Sequence, residues 1–425
     1  MEKKVLFNSL WMMLEKVISI FGLIFVTSFV ARYVGPTVFG EIAYATSLFQ
    51  IIQVLAQLGS DVIIFKRVAK KESSGIRLIN TTVGLRGGVY LISSLPILIY
   101  FFIKYDTTNF LYVFSVFLSC FFYSLDVFSI FYDARLESKR NTIVNTCSLI
   151  ICLMIRWLIP FLKLNPIFLC IPIVFTSLIP LCVRIISYSK NFKNYPKTKR
   201  HKKKYMSYVL LCGLSLVISS LSVAIYPRLG MLILGSLQNS AAVGVYSVAA
   251  TLASSWAFVC NSFITSSLPS MFREDSESRT IFNAAQISII VSLFSSLVII
   301  GFYLLGNWVL KTLYGVSFVS SFTPMIILCI STFISMLGTI SARLIAKYSG
   351  YIYLSKKMLL VTIFSVVFNY IFISKFGVIG AAIATLLTEL MSLTLCNYLF
   401  KNGLVLKLHV STFLLKPIFR RVKSK

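Results

Sequence analysis

The chain has 425 residues, of which 57% are hydrophobic and only 13% charged, with a mean hydropathy of +0.87. Soluble domains carry about one-quarter charged residues, so this chain has too few polar side chains to coat a water-facing surface and is read as an all-α integral membrane protein. Lys and Arg outnumber Asp and Glu 41 to 13, for a formal charge of +28, and the apolar runs leave no room for a sizeable soluble catalytic domain.

Runs that match a span of about 20 residues fall near 8–31, 40–63, 79–103, 108–132, 141–162 and 166–188. Six more follow near 207–228, 240–268, 282–306, 322–346, 353–374 and 377–400. The first run follows MEKK, but it is too long for a signal-peptide core and carries Glu15 and Lys16, so it is read as an uncleaved span. The longest polar stretch, SKNFKNYPKTKRHKKK, separates the two sets. This pattern predicts an N-terminal six-helix lobe over 1–188, a basic linker over 189–204, a C-terminal lobe over 205–400 and a basic tail over 401–425.

Sorted along alternating loops, 31 basic residues fall on one side, five on the other and five inside the spans. Positively charged loops stay cytoplasmic, so both termini are expected in the cytoplasm. Basic loops beside membrane helices are ordinary topology determinants that attract anionic headgroups incidentally, and no nucleic-acid partner is expected. The nine cysteines lie in apolar runs without a CxxC pair, and His201 and His409 sit in basic stretches. Neither a disulfide framework nor a metal site is indicated.

A charge near the bilayer centre costs roughly 2.5–3.5 kcal/mol on insertion scales, so such residues face a polar cavity or a partner. The basic set is Lys16, Arg86, Arg156, Arg184 and Arg228; the acidic set is Glu15, Asp126 and Glu389, with Asp61 close to a cytoplasmic end. Arg184, about one turn from its span end, is expected to snorkel. Arg86, Arg156, Lys16 and Arg228 are the candidates for a cationic cavity, which would suit an anionic, phosphate-bearing amphiphile because Arg contacts phosphate bidentately. Glu389, Asp126 and Glu15 are the candidates for binding a coupling ion, H⁺ or Na⁺, with Glu389 preferred as the deepest in its span. Arg86 stands in GLRGG, where Gly84 and Gly88 also form a small-xxx-small helix-packing pair.

The two sets of runs echo one another: Phe39-Gly40, Ala45 and Leu48 recur at the same spacing as Val243-Gly244, Ala249 and Leu252. Repeated six-helix halves are a usual construction of secondary transporters. The opening NSLWMMLEKVISIFGLIFVTSFVARYVGPTVFGEIAYATSL and QLGSDVIIFKRVAKK, with AIYPRLGMLILGSLQNSAAVGVYSVAATL and FGVIGAAIATLLTEL later, resemble bacterial O-antigen flippases. These are Wzx-type members of the polysaccharide-transporter branch of the multidrug/oligosaccharidyl-lipid/polysaccharide (MOP) exporter superfamily. The resemblance implies 12 transmembrane helices in two pseudo-symmetric six-helix lobes around a central cavity, MATE-like, working by alternating access and not as an enzyme. It implies an undecaprenyl-pyrophosphate-linked O-antigen or capsule oligosaccharide as substrate, flipped to the periplasmic face of the inner membrane, with no cofactor beyond a coupling ion. An O-antigen polymerase and a chain-length regulator are the implied partners besides the lipid bilayer. Many relatives carry an Asp where this chain has Gly230, so a coupling role for that position does not transfer. A multidrug antiporter of the same superfamily would need a more acidic pocket, and a membrane-bound polymerase a large external loop that no connection here provides.

Overall fold

The computed structural model describes residues 2–192, 206, 207, 213, 217 and 220–414, with side chains described from residue 19 onward except at 21, 23, 191 and 192. Among these residues every regular element is helical. Ten helical stretches are long and apolar enough to cross a membrane, against twelve expected runs. The difference has a definite origin. The run 8–31 and residues 40–57 of the next lie in α1 (Glu2–Gln57), interrupted at Gly35 with φ 78°, and the run 353–374 and residues 377–393 of the last share one helix, Tyr351–Leu393, interrupted at Gly377 with φ 56°. Both breaks use a backbone region that glycine enters without a Cβ penalty. At the first, Pro36 restarts the helix where its missing N–H leaves no bond unmade.

The chain separates into two compact units, Met1–Ile225 and Tyr226–Lys425. In the first, α1 is followed by α2 (Ser60–Lys70), α3 (Glu72–Lys104), α4 (Thr107–Leu125), α5 (Phe128–Ala134), α6 (Ser138–Phe161) and α7 (Cys170–Phe192). Gly22 lies against Leu153 of α6 and Val30 packs with Ile159, so the first half of α1 runs in the same sense as α6. Past the break, Glu41 meets Asn109 and Phe49 meets Phe117, so the second half follows α4. Tyr112, near the start of α4, shares a cluster with Ile159, near the end of α6. These two helices are therefore antiparallel, and so are the halves of α1. One end of the unit holds Gly35 and the α6–α7 connection, which Tyr33 ties down by donating to the Leu164 carbonyl at 2.8 Å. At the other end Arg135 reaches Glu72 at 2.9 Å, bringing together two connections that the charge pattern assigns to one side.

The second unit contains α8 (Leu229–Leu237), α9 (Ser240–Ser254), α10 (Ala257–Phe272), α11 (Glu277–Val309), α12 (Phe322–Lys347), α13 (Tyr351–Leu393), α14 (Leu395–Tyr398) and α15 (Leu404–Phe413). Asn239 caps α9 by accepting from the Ala242 N–H at 2.9 Å, as an N-cap side chain does for an otherwise orphaned donor. The reversal at Gly377 is read directly: a Cβ on Gly380 would strike the Phe372 carbonyl oxygen. Eight residues along an unbroken helix would lie about 12 Å apart. Large apolar side chains such as Phe102, Ile103, Leu293, Leu297, Leu304 and Trp308 remain exposed, as lipid-facing surfaces require and water-facing ones seldom permit.

Part of the sequence expected as a tail is folded. Leu404, Val405 and Leu408 of α15 bury into the cluster formed by Ala284, Ile281 and Leu344. His409 on the same helix lies between Ser341 Oγ at 3.3 Å and the Tyr398 hydroxyl at 3.0 Å. Burial pushes its imidazole down to about 4, from an ordinary value of about 6.5. With the folded value below the unfolded one, the contribution to stability is complete above pH ~6.5 and is lost as pH falls toward the folded value. Thermal unfolding in detergent across that window should therefore show a steeper acid loss for the wild type than for His409→Gln, which keeps hydrogen-bonding groups but does not titrate. Parallel pH profiles would remove His409 from this role.

Candidate functional site

In the first unit, two breaks in helical geometry place acids beside buried arginines. Leu58 and Gly59 adopt positive φ between α1 and α2, setting Ser60 and Asp61 at the start of α2. Arg86 of α3 is 1% exposed. Its Nε and Nη2 donate to Ser60 Oγ at 3.0 and 2.5 Å, and Nη2 also pairs with the half-exposed Asp61. Arg86 thus stands as a compensated charge locking α2 to α3, beside its sequence reading as a cavity cation.

Asp126 sits in the break between α4 and α5 and pairs with Arg184 of α7. Arg184 also donates to Asn141 Oδ1 at 3.0 Å and to Asn145, both on α6. Asn141 in turn donates to the Ser129 carbonyl at 2.7 Å and to Asp133 at 2.8 Å. Four elements are held by one polar network. The expected snorkelling of Arg184 is therefore corrected: the residue is 4% exposed and directed inward, because the α4–α5 break offers it a carboxylate inside the unit. Removing one partner of a buried pair leaves an uncompensated charge and typically costs about 3–5 kcal/mol. Asp126 accordingly reads first as a structural partner among the ion-coupling candidates.

Arg156 is different. On α6 the buried residues are Cys152, Leu153, Ile159 and Pro160, while Met154, Trp157, Leu158 and Phe161 are exposed. Positions 152, 156 and 160 follow helical spacing, which puts Arg156 on the protein-facing stripe. It keeps partial accessibility there and forms no salt bridge among the described residues. Glu15 and Lys16 lie on α1, but their side chains are outside the described residues.

In the second unit, Arg228 ends a short 3₁₀ turn, Tyr226–Arg228, just before α8, and is partly buried. Glu389 of α13 lies among Tyr226 and Ser335, with the Lys357 ammonium acting on its carboxyl. The alternating-loop charge pattern counts Lys357 among the loop cations. It is 8% exposed and donates to Asn397 Oδ1 at 2.8 Å, because α13 starts at Tyr351 and buries the stripe Lys357, Val361, Ser365, Asn369 and Ile373. That i, i+4 series was the available sequence signal. Beside this cluster a Cβ on Gly230 would come within 2.8 Å of the Tyr246 hydroxyl, which lies 3.2 Å from Thr385 Oγ1. The space that an acidic side chain would need at position 230 is filled by a tyrosine from α9.

The profile of the family described as polysaccharide biosynthesis protein matches residues 5–275, more than half of the chain. The chain belongs to that family. Among solved structures it is similar to the lipid II flippase MurJ in an inward closed conformation, with 13% identity and a TM-score of 0.67 over 99% of this chain and 93% of that one. It is also similar to an inward-facing multidrug resistance MATE family transporter of the MOP superfamily, with 13% identity and a TM-score of 0.64 over 92% and 96% of the two chains. No curated protein matches it. The likeness is one of fold, shared with the MurJ and MATE structures by a member of a polysaccharide biosynthesis family.

Gly230→Asp should lower the yield of folded protein, since overpacking a filled site costs typically about 1–3 kcal/mol. Gly230→Asp combined with Tyr246→Ala should recover it, as read by size-exclusion profiles and melting temperature. Equal behaviour of the single and double variants would separate the two positions.

Proposed function

We propose that this protein is a flippase for an undecaprenyl-pyrophosphate-linked O-antigen or capsule repeat unit, carried from the cytoplasmic to the periplasmic face of the inner membrane. The observation that carries this reading is Arg156. It is a guanidinium on the protein-facing stripe of a membrane helix, partly accessible and with no carboxylate paired to it among the described residues. The two other described arginines deep in the first unit, Arg86 and Arg184, are each matched by an aspartate, whereas Arg156 has no such partner among the described residues and suits an anion brought by the cargo. A diphosphate suits it, because the planar guanidinium binds phosphate oxygens bidentately and the attraction strengthens at low dielectric. Membership of a polysaccharide biosynthesis family supports a sugar-bearing cargo, and the fold shared with MurJ, a lipid II flippase, supports a lipid-linked one.

In this reading the end of each unit that gathers the basic connections faces the cytoplasm, with both termini there. Lys16 is the cation of the first unit nearer that side and Arg156, toward the opposite end of α6, the one that meets the headgroup deeper, while the polyprenyl chain stays in lipid; Arg228 is the cationic candidate of the second unit. Alternate opening of the transporter then releases the sugar outside, where a polymerase and a chain-length regulator would receive it. Glu389, beside Tyr226, Ser335 and Lys357, is the carboxyl we assign to a coupling ion, H⁺ or Na⁺.

Deleting the gene should abolish surface polysaccharide and leave its lipid-linked unit accumulating inside; unchanged surface polysaccharide would refute the reading. In complemented cells Arg156→Ala should lower surface polysaccharide at equal protein level. A hydrogen bond to a charged group is worth about 1.5–3 kcal/mol, so the expected loss is roughly tenfold or more, with Arg156→Lys intermediate. Full export by Arg156→Ala would remove this residue from the substrate path.

A further inference from the structure

Glu41 belongs to neither the ion-pair networks nor the proposed substrate contacts. It lies in α1 six residues past the Gly35 break, is 5% exposed, and accepts one hydrogen bond, from Asn109 Nδ2 at 3.3 Å on Oε1. Its Oε2 is buried and has no partner among the described residues. An ionised carboxylate in that position would hold a full charge in an apolar surrounding with a single neutral donor, a state that buried groups escape by neutralising. The contrast lies within the same unit, where Asp61 and Asp126 each have an arginine.

Among the described residues no salt bridge reaches Glu41. From α4 it is faced by Asn109 and Tyr112, the latter 3% exposed, with the Asp106 carboxyl exposed at the start of that helix. From α7 the nearest titratable group is Cys170, whose thiol donates to the Leu111 carbonyl at 3.5 Å. At the end of α3 the exposed Lys104 is engaged with the Tyr100 hydroxyl at 3.0 Å. At the end of α6, Lys163 is exposed and Arg156 forms no salt bridge to Glu41. On α1 itself Arg32 is exposed, Tyr33 donates to Leu164, and Tyr44 packs on Phe101. Lys16 lies nineteen residues before the break, about 28 Å along the helix, toward the opposite end of the unit.

We propose that Glu41 is a proton-binding site of the first unit, holding a neutral carboxylic acid at rest. The O–H of the acid is its store: when packing around Asn109 and Tyr112 opens, the proton passes to water and a carboxylate remains, and reclosure requires that a proton return. The Gly35–Pro36 break gives the fold a place where the two halves of α1 can shift against one another and admit that water. This proton site does not depend on what cargo the protein carries.

The test uses the full-length protein in lipid vesicles. An ordinary Glu titrates near ~4.3, so infrared spectra taken about two units higher should retain a protonated-carboxyl band in the wild type, shifted by deuterium exchange. Glu41→Gln should remove one component of that band in the difference spectrum against the wild type, while Glu277→Gln, altering a surface carboxylate paired with Lys407, should leave it unchanged. Should the glutamine variant fail to fold, carbodiimide modification of the wild type decides, because that reagent attacks protonated acids buried in lipid. Mass spectrometry should find the adduct on Glu41 at the same pH. Absence of the band in the wild type, an unchanged band in Glu41→Gln, or an unmodified Glu41 would each overturn the proposal.

Discussion

Charge compensation inside a hydrocarbon-solvated bundle is the constraint on which the rest of this structure depends. With no bulk water to screen it, a buried ion must be matched by an opposite charge, hydrogen-bonded on its remaining faces, or neutralised by a proton. The first unit shows the alternatives side by side. Arg86 is matched by Asp61 and Ser60, Arg184 by Asp126, Asn141 and Asn145, and Glu41 by one amide alone. The helices are bent to meet this demand. The positive-φ pair Leu58–Gly59 starts α2 where Asp61 reaches Arg86, and the α4–α5 interruption turns Asp126 toward Arg184.

Much of the architecture was legible because hydropathy reports lipid exposure directly. The spans follow from which side chains hydrocarbon and water each accept. The run boundaries at 31/40 and 374/377 anticipate the reversals at Gly35 and Gly377, each a single residue of positive φ between two helices. In the first case the Gly-Pro pair marks the spot; in the second the close packing of Gly380 on Phe372 shows the reversal in the fold.

The pairing of charges was less legible for a physical reason. Depth along a helix can be estimated from sequence, but azimuth relative to a partner cannot when the partner is 58 residues away, as Asp126 is from Arg184. Arg184 looked free to snorkel because one turn separates it from its span end; the acid that holds it inward comes from another helix. Lys357 looked like a loop cation for the same reason, being counted by distance from a boundary and not by the face it shares with Val361, Ser365 and Asn369. Glu41 stands just inside the start of its run, where depth gives no sign that it is buried with a single amide donor.

The two units handle their acids differently, and this asymmetry bears on how such a transporter would cycle. Glu389 in the second unit has hydroxyl groups and an ammonium around it, so a charge there is met by partners already in the fold. Glu41 accepts from one amide and has no salt bridge among the described residues, so its charge state is tied to whether its packing is open or closed. A site of the first kind responds to which cation is present; a site of the second kind responds to conformation. Coupling between conformation and ion binding requires a group whose affinity differs between two states of the fold. The solvation argument assigns that property more strongly to the carboxyl at the Gly35 turn than to the one in α13.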